Sequence, residues 1–265
     1  MITIVRVGKE KGPFYQVELS DGRKLRVSED RLVHYRLLKG MELEPETIEE
    51  IEKNSQYDYG LQQAMNYLSY QLRSEKEIHT YLRDKEIDKN DRDRIVQRLK
   101  ELDLIDDRMY GESYVRTQMR LSDKGPRKIA QALQQKGISP EKVEQALLEY
   151  PEEEQLNAAI HAAEKAVGKY HGRSHRETLQ KTRQALMNKG FSSEIIQQAI
   201  DSLESEPDEE EEYQALVTQG DKLWRKHQRL NLSKKKQKVK QSLYQKGFSL
   251  EEIQRFIEEK EEQDE

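Results

Sequence analysis

The segments IAQALQQKGIS (129–139), TRQALMNKGFS (182–192) and VKQSLYQKGFS (239–249) repeat one pattern, and IHTYLRDKEID (78–88) is a weaker copy of it. Each begins with an aliphatic or β-branched residue that is followed four positions later by leucine, so both lie on one helix face. A lysine comes three residues after the leucine, and glycine follows in the last three copies, where the first has Glu86. Lysine complements the negative end of the helix dipole, and glycine adopts the left-handed conformation that ends a helix. The pattern therefore predicts recurring helices with one kind of C-terminal end.

A second helix is predicted directly after each of these ends. Residue types that cap helix N-termini stand there, followed by apolar pairs four residues apart; the caps are Asp88, Ser139, Ser192 and Ser249. Pro140 suits a first helical position, and Glu252 lies three residues after its cap, as in a capping box.

The spacing of the copies leaves room for a third helix in each repeat. Leu82, Leu133, Leu186 and Leu243 are 51, 53 and 57 residues apart. The third helices are predicted at 60–72, 106–120, 153–168 and 209–227. The predicted fold class is mainly α, with tandem three-helix repeats in an elongated curved array.

The first 40 residues have a different, alternating pattern. ITIVRV (2–7), FYQVEL (14–19) and KLRVS (24–28) alternate apolar and polar residues, and Asp21-Gly22 is a strong hairpin signal. They predict a small three-stranded antiparallel β module, then a short helical segment at 29–38 and a linker helix from 44–56. The predicted domains are residues 1–56, 57–104, 105–151, 152–204 and 205–265.

Composition excludes several classes of protein. The chain has no cysteine, which excludes disulfides and thiolate catalysis and fits a reducing compartment. Charged residues make up 37% of it and hydrophobic residues 34%, and the mean hydropathy is -1.05. No apolar run approaches the roughly 18 residues that span a bilayer, and the N-terminus has no signal-peptide pattern. We expect a cytoplasmic, monomeric protein.

No assembled set of catalytic residues is recognisable. The loop at 8–12 lacks the spacing of a phosphate-binding loop and is interpreted as a hairpin connection. His171 and His175 have a metal-ligand spacing, but solvated histidines in a polar connector are the favoured interpretation. Asp106 and Asp107 are compatible with acid–base or cation chemistry, although capping of the next helix is favoured. We therefore expect no enzyme, no metal and no cofactor.

Basic side chains are the better candidates for binding. The net charge is only -5, but residues 222–240 are strongly basic between acidic stretches at 204–212 and 258–265. Cations also recur near the start of the second helix of each repeat, where they would line one face for a nucleic acid or a partner. The alternative is ordinary solvated helix faces. The candidates are Arg73, Lys76, Arg116, Arg120, Lys124, Arg127, Lys128, Lys181, Arg183, Lys234, Lys235, Lys236, Lys238 and Lys240.

The order of motifs over about residues 60–204 resembles the RecX family of bacterial regulators of the RecA recombinase. The motifs are Ala64-x-x-x-Leu68 with Arg73-Ser74, Ile105-Asp106-Asp107 with Tyr110 and Tyr114-Val115, and Gly125-Pro126-x-Lys128-Ile129 with Lys136-Gly137-Ile138. The β module and a fourth, lysine-rich repeat resemble the longer form found in low-GC Gram-positive bacteria. Glu86 in place of glycine and Gly111 in place of alanine depart mildly from the family pattern.

The resemblance implies a function that the residues alone do not give. Family members bind the groove of the RecA–single-stranded DNA filament and inhibit or modulate its recombinase, ATPase and coprotease activities in DNA repair and the SOS response, without catalysis of their own. A general nucleic-acid-binding protein and an enzyme on a helical scaffold are the alternatives.

Overall fold

A computed structural model of the chain describes residues 1–10, 12–170, 172–203 and 208–264. His171, part of the acidic stretch at 204–212 and one residue of the 8–12 loop therefore lie outside the described residues. The described residues form four strands and 13 helices, and the predicted mainly α fold with an N-terminal antiparallel β module is confirmed. None of the described helices is both long and apolar enough to cross a membrane.

The β module contains one more strand than the sequence predicts. The strands β1 (Ile2–Lys9), β2 (Phe14–Leu19), β3 (Lys24–Ser28) and β4 (Glu42–Leu43) form an antiparallel sheet in the order β3-β2-β1-β4. The prediction of three strands was wrong because β4 has two residues, too few for an alternating pattern to show.

A short helix and a long one complete this part of the chain. Helix α1 (Glu29–His34) is followed by α2 (Pro45–Leu68). The hydroxyl of Ser55 on α2 donates to the carbonyl of Arg26 on β3 at 2.8 Å. The predicted boundary between residues 56 and 57 falls inside α2, and the domain limits stay a prediction.

The helices after α2 follow the predicted order in each repeat. Repeat 1 uses α2, α3 (Glu75–Asp84) and α4 (Lys89–Glu101), and repeat 2 uses α5 (Asp107–Leu121), α6 (Pro126–Gln135) and α7 (Pro140–Leu147). Repeat 3 contains α8 (Glu152–Val167), α9 (His175–Lys189) and α10 (Ser193–Asp201). Repeat 4 contains α11 (Glu209–Lys226), α12 (Leu232–Gln245) and α13 (Leu250–Asp264).

The chain forms two compact units. The first comprises residues 1–111 and 133–143, and the second comprises residues 112–132 and 144–265. In the first unit, the aliphatic side chains of β1–β4 and α2 form one core, and Ile78, Leu82 and Ile95 belong to another. In the second unit, cores form around Leu186 with Phe191 and around Leu243 with Phe256.

The predicted helix ends are confirmed. Gly137, Gly190 and Gly247 have φ of 89°, 93° and 98°, and Glu86 takes the same left-handed conformation with φ of 61°. A residue with a side chain in the left-handed conformation loses roughly 1–2 kcal/mol of stability. Repeat 1 therefore keeps this helix end at an energetic cost. The predicted caps also accept backbone N–H groups, for example Asp88 from Asp91 at 3.0 Å.

Candidate functional site: repeat joints and basic side chains

The Lys-Gly ends accept hydrogen bonds from the preceding repeat. In the first unit, the hydroxyl of Ser74, the N-cap of α3, donates to the carbonyl of Lys136 at 2.7 Å. In the second unit, the N–H of Gly125, just before α6, donates to the carbonyl of Lys189 at 2.8 Å. The hydroxyl of Ser174, the N-cap of α9, donates to the carbonyl of Lys246. We call these three contacts the repeat joints, and each satisfies a helix-terminal carbonyl that has no partner within its own helix.

Glycine is needed at the joints for a second reason besides its backbone conformation. A Cβ on Gly137 would lie 2.6 Å from the Cβ of Lys76, and one on Gly190 would lie 2.6 Å from the backbone N of Lys128. On Gly247 it would lie 2.9 Å from the hydroxyl oxygen of Ser174. The lysine–glycine motif, which the sequence explains as a helix end, is therefore also the surface on which the preceding repeat rests.

A second hydrogen bond accompanies each of the three joints. The N–H of Glu75, the first residue of α3, donates to Oδ1 of Asp107 at 2.9 Å, and the N–H of His175, the first residue of α9, donates to Oε2 of Glu212 at 2.8 Å. Pro126 is the first residue of α6 and has no N–H. There the next residue, Arg127, donates its N–H to the carbonyl of Gly190 at 3.1 Å.

Carboxylates at the joints have pKa values shifted in opposite directions. Burial opposes the ionised form of Glu77, but the hydrogen bonds from Lys136 at 2.7 Å and from the N–H of Ser74 outweigh it and lower its pKa. Burial raises the pKa of Asp107 and of Glu212. In the second unit, Lys189 forms the corresponding ion pair with Asp123 at 2.7 Å.

Asp106 caps the helix that follows it, α5, as the favoured interpretation predicts, whereas Asp107 bonds to the start of a different helix. Oδ1 of Asp106 accepts the N–H of Arg108 at 2.7 Å, and Asp107 accepts from the start of α3. Across the described ranges, no group of three or more His, Asp or Glu side chains could hold a metal ion. The interpretation of the histidine pair stays a prediction, because His171 lies outside those ranges.

The predicted basic residues of the first unit have partners within that unit. The guanidinium of Arg73 lies 3.9 Å from the ring centre of Tyr67, which stacks on Tyr81 at 4.1 Å. The Nζ of Lys76 donates to the carbonyl of Gln135 at 2.8 Å. These cations contribute to the structure of the unit, so a role in binding would come in addition.

In repeats 2 and 3 the predicted cations are partly paired. Arg116 forms an ion pair with Glu149 at 2.8 Å. Lys181 lies 3.8 Å from Glu177. Three others bond to glutamine side chains, and two are exposed at the surface of the second unit. The glutamine-bonded residues are Lys124, Lys128 and Arg183, and the exposed ones are Arg120 and Arg127.

The five lysines of α12 separate into two groups. Lys235 is only 9% exposed, and its Nζ lies 3.8 Å from the ring centre of Trp224. Lys236 pairs with Glu261 of the acidic C-terminal helix. Lys234, Lys238 and Lys240 are exposed and have no ion pair among the described side chains. Lys235 lies four residues before Val239 and eight before Leu243, both buried, and this helical spacing was the signal that it faces the core.

Known protein domains match this chain repeat by repeat. The descriptions "RecX, first three-helix domain" and "RecX, second three-helix domain" match residues 61–99 and 106–147. "RecX, third three-helix domain" matches twice, at 152–200 and 209–257. Regulatory protein RecX of Enterococcus faecalis is 60% identical over 98% of both chains. Its counterpart from Levilactobacillus brevis is 38% identical over 97% of this chain and 96% of its own. The chain belongs to the RecX family.

Solved RecX structures agree with the fold. The structure described as "Crystal structure of regulatory protein RecX" is 33% identical, covers 76% of this chain and all of its own, and has a TM-score of 0.66. RecX from Lactobacillus salivarius is 42% identical over 56% of this chain and 96% of its own, with a TM-score of 0.53. The double match of the third RecX domain shows that the fourth repeat is a further copy of the third type, and the joint from Ser174 to Lys246 connects these two copies.

Proposed function

We propose that this protein regulates RecA by binding the RecA–single-stranded DNA filament and mainly inhibiting its recombinase, ATPase and coprotease activities. The observation that carries the proposal is the 60% identity, over 98% of both chains, to a protein named Regulatory protein RecX. We further propose that it acts as a monomer in the cytoplasm and has no catalysis of its own.

The arrangement of the repeats supports binding to a polymer. Repeats of one kind offer several similar contacts to a partner that itself repeats. Once one repeat is bound, the others bind as if at a raised local concentration, so weak contacts sum to a high affinity. The exposed cations of the second unit suit the phosphates of DNA in or beside the filament.

The proposal is tested by titrating the protein into RecA on single-stranded DNA with ATP. We expect ATP hydrolysis and strand exchange to fall as the protein is added. Unchanged rates at one chain per RecA subunit would contradict the proposal. ATP hydrolysis by the protein alone is the control, and it should be at background.

A second candidate function is general nucleic-acid binding through the basic helical faces. The exposed Lys234, Lys238 and Lys240 favour it. Such a protein would bind single-stranded DNA without RecA, with an affinity that falls steeply as salt is added. Equal affinity for bare DNA and for the filament would support this second function over the first.

A further inference from the structure

The connection between the first two helices of repeat 1 exposes large apolar side chains. Tyr70 is 85% exposed, more than any other large hydrophobic side chain of the described residues, and Leu72 is 53% exposed. Met65, in the last turn of α2 before this connection, is also exposed. Covering side chains of this size removes a large apolar area from water, which is favourable. Adjacent exposed ones therefore mark binding surfaces.

The connection that carries them is held firmly. The N–H of Ser69 donates to the carbonyl of Met65 at 3.1 Å, and its hydroxyl donates to the carbonyl of Asn66 at 2.8 Å. At the other end, Arg73 stacks on Tyr67. The side-chain amide of Gln71 lies against the same guanidinium, and its oxygen accepts from Arg73 when the amide is turned to face that donor. A partner that covers Tyr70 and Leu72 therefore orders little new backbone, which lowers the entropic cost of binding.

The equivalent position of repeat 2 carries the same kind of side chain. Leu121, the last residue of α5, is 80% exposed and lies four residues before Gly125, as Tyr70 lies four residues before Ser74. In repeat 3 this position holds Tyr170, which is half-buried, and in repeat 4 it holds His227.

Each of these apolar residues has a cation close by in the chain. Arg73 follows Leu72 directly, and Lys124 follows Leu121 by three residues. Aliphatic side chains such as Leu72 and Leu121 fit an apolar pocket of a protein and gain little from phosphates or base edges. The cations complement carboxylates at the rim of such a pocket.

We propose that these connections are the protein-contacting surface of the repeats, with Tyr70 and Leu72 as the anchors of repeat 1. The partner is a polymer of identical protein subunits, each with an apolar pocket rimmed by carboxylates. The repetition of the anchor matches the repetition of the subunit. This inference rests on the proposed function, and it assigns the contact with the protein part of the filament to residues other than the exposed lysines of α12.

The test compares the full-length double variant Y70S/L72S with a matched control, V33S/L38S. Val33 and Leu38 are each 69% exposed in the N-terminal module, so both pairs remove exposed apolar area without touching a core. Thermal unfolding should be unchanged in both. Affinity is measured for the RecA–single-stranded DNA filament and for the same DNA without RecA.

We expect Y70S/L72S to lose about tenfold or more in affinity for the filament, as removal of anchor residues does at protein interfaces. Its affinity for bare DNA should stay within about twofold of the parent, and the control should stay within about twofold in both assays. An unchanged filament affinity, with the parent still inhibiting RecA, would overturn the inference and leave the proposed function standing. A parallel loss on bare DNA would overturn it in favour of base stacking by Tyr70. If the parent neither binds nor inhibits the filament, both are overturned.

Discussion

At the scale of single residues, the joints depend on glycines that serve two purposes. Gly190 has φ of 93°, which only glycine adopts without strain. It also lies against the backbone of the α6 start, where no side chain can move aside. Gly40 has a similar φ of 87° but has open space around it. A comparison of Gly190 with Gly40 therefore separates the energetic cost of the left-handed conformation from the cost of a steric clash.

Substituting Gly190→Ala should therefore destabilise the protein more than Gly40→Ala. We expect about 1 kcal/mol for Gly40→Ala, from the left-handed conformation alone, and at least twice that for Gly190→Ala. Denaturant unfolding of both variants measures the difference. Equal losses would mean that the joint relaxes around a methyl group.

Thr182 is fully buried in α9, and its hydroxyl has no hydrogen-bond partner among the described groups. An unpaired buried hydroxyl costs about 1–3 kcal/mol, and valine has the same shape without it. Thr182→Val should raise the free energy of unfolding by about 1 kcal/mol. Thr117→Val, whose hydroxyl bonds to the carbonyl of Ser113 on an exposed surface, is the control and should give no gain. A loss of stability in Thr182→Val would show that the hydroxyl is bonded in solution.

Glu77 and Asp107 should respond to pH with opposite signs. The pKa of Glu77 is lowered, so its ionised form adds stability above the unfolded pKa, and that stability is lost as the pH falls through the folded pKa. The pKa of Asp107 is raised by burial, so its ionised form costs stability at neutral pH, and the cost fades as the pH falls.

We therefore expect Glu77→Gln to lower the free energy of unfolding at pH 7, by about 1 kcal/mol, because it removes a hydrogen-bonded charge. Asp107→Asn keeps the accepting oxygen and should raise stability at pH 7. Both differences should shrink as the pH is lowered towards about 3, and that of Asp107 should shrink first, because its pKa is raised while that of Glu77 is lowered. Denaturant unfolding at both pH values is the measurement, and shifts of the same sign at pH 7 would contradict the assignment.

At the scale of elements, α12 is both a core helix and a basic surface. Lys235 packs on Trp224 in line with Val239 and Leu243, while Lys234 and Lys238 lie one turn apart on the exposed side. A long lysine stem covers apolar surface well, so a buried lysine over an aromatic ring is stable without belonging to a binding site. The basic character of α12 therefore overstates the charge that a partner can reach.

The exposed group of α12 predicts a defined salt dependence. Replacing Lys234, Lys238 and Lys240 with glutamine should leave stability unchanged. If each contacts one phosphate, the variant should reduce the slope of log affinity against log salt for single-stranded DNA by about 2, at roughly 0.7 for each contact. The charge-matched control K39Q/K53Q/K89Q changes exposed lysines of the first unit and should keep the parent slope. An unchanged slope in the α12 variant would show that these lysines contact no phosphate.

At the scale of the whole molecule, four repeats would give one chain several places to bind the filament that we propose as its partner. If each chain contacts more than one RecA subunit, inhibition should be complete at fewer than one chain per subunit. Co-sedimentation with the filament across a titration gives the ratio at saturation, measured beside the rate of ATP hydrolysis. Saturation at one chain per subunit would mean that a single repeat makes the contact.

The amino-acid sequence by itself determined the local features of this fold. The spacing of Leu133, Leu186 and Leu243, the glycines after their helices and the serine caps fix helix faces and ends, because these depend on side chains at most a few residues apart. The order of motifs along the chain was likewise enough to indicate the RecX family. The two-residue strand β4 escaped prediction because its pairing with β1 depends on a distant segment and not on its own pattern.

Tertiary structure alone decided what the repeated residues do for one another. Ser74 and Lys136 are 62 residues apart in the chain, and no local rule makes the cap of one helix a donor to the end of another. The same holds for Lys235, which counts as a charge in the sequence and lies against Trp224 in the structure. Exposure, too, is a property of the folded chain, and only the structure separates Tyr70 and Leu72 from the buried apolar residues beside them. Helix ends are set by neighbours in sequence, whereas joints and exposed apolar side chains are set by which surfaces the folded repeats cover.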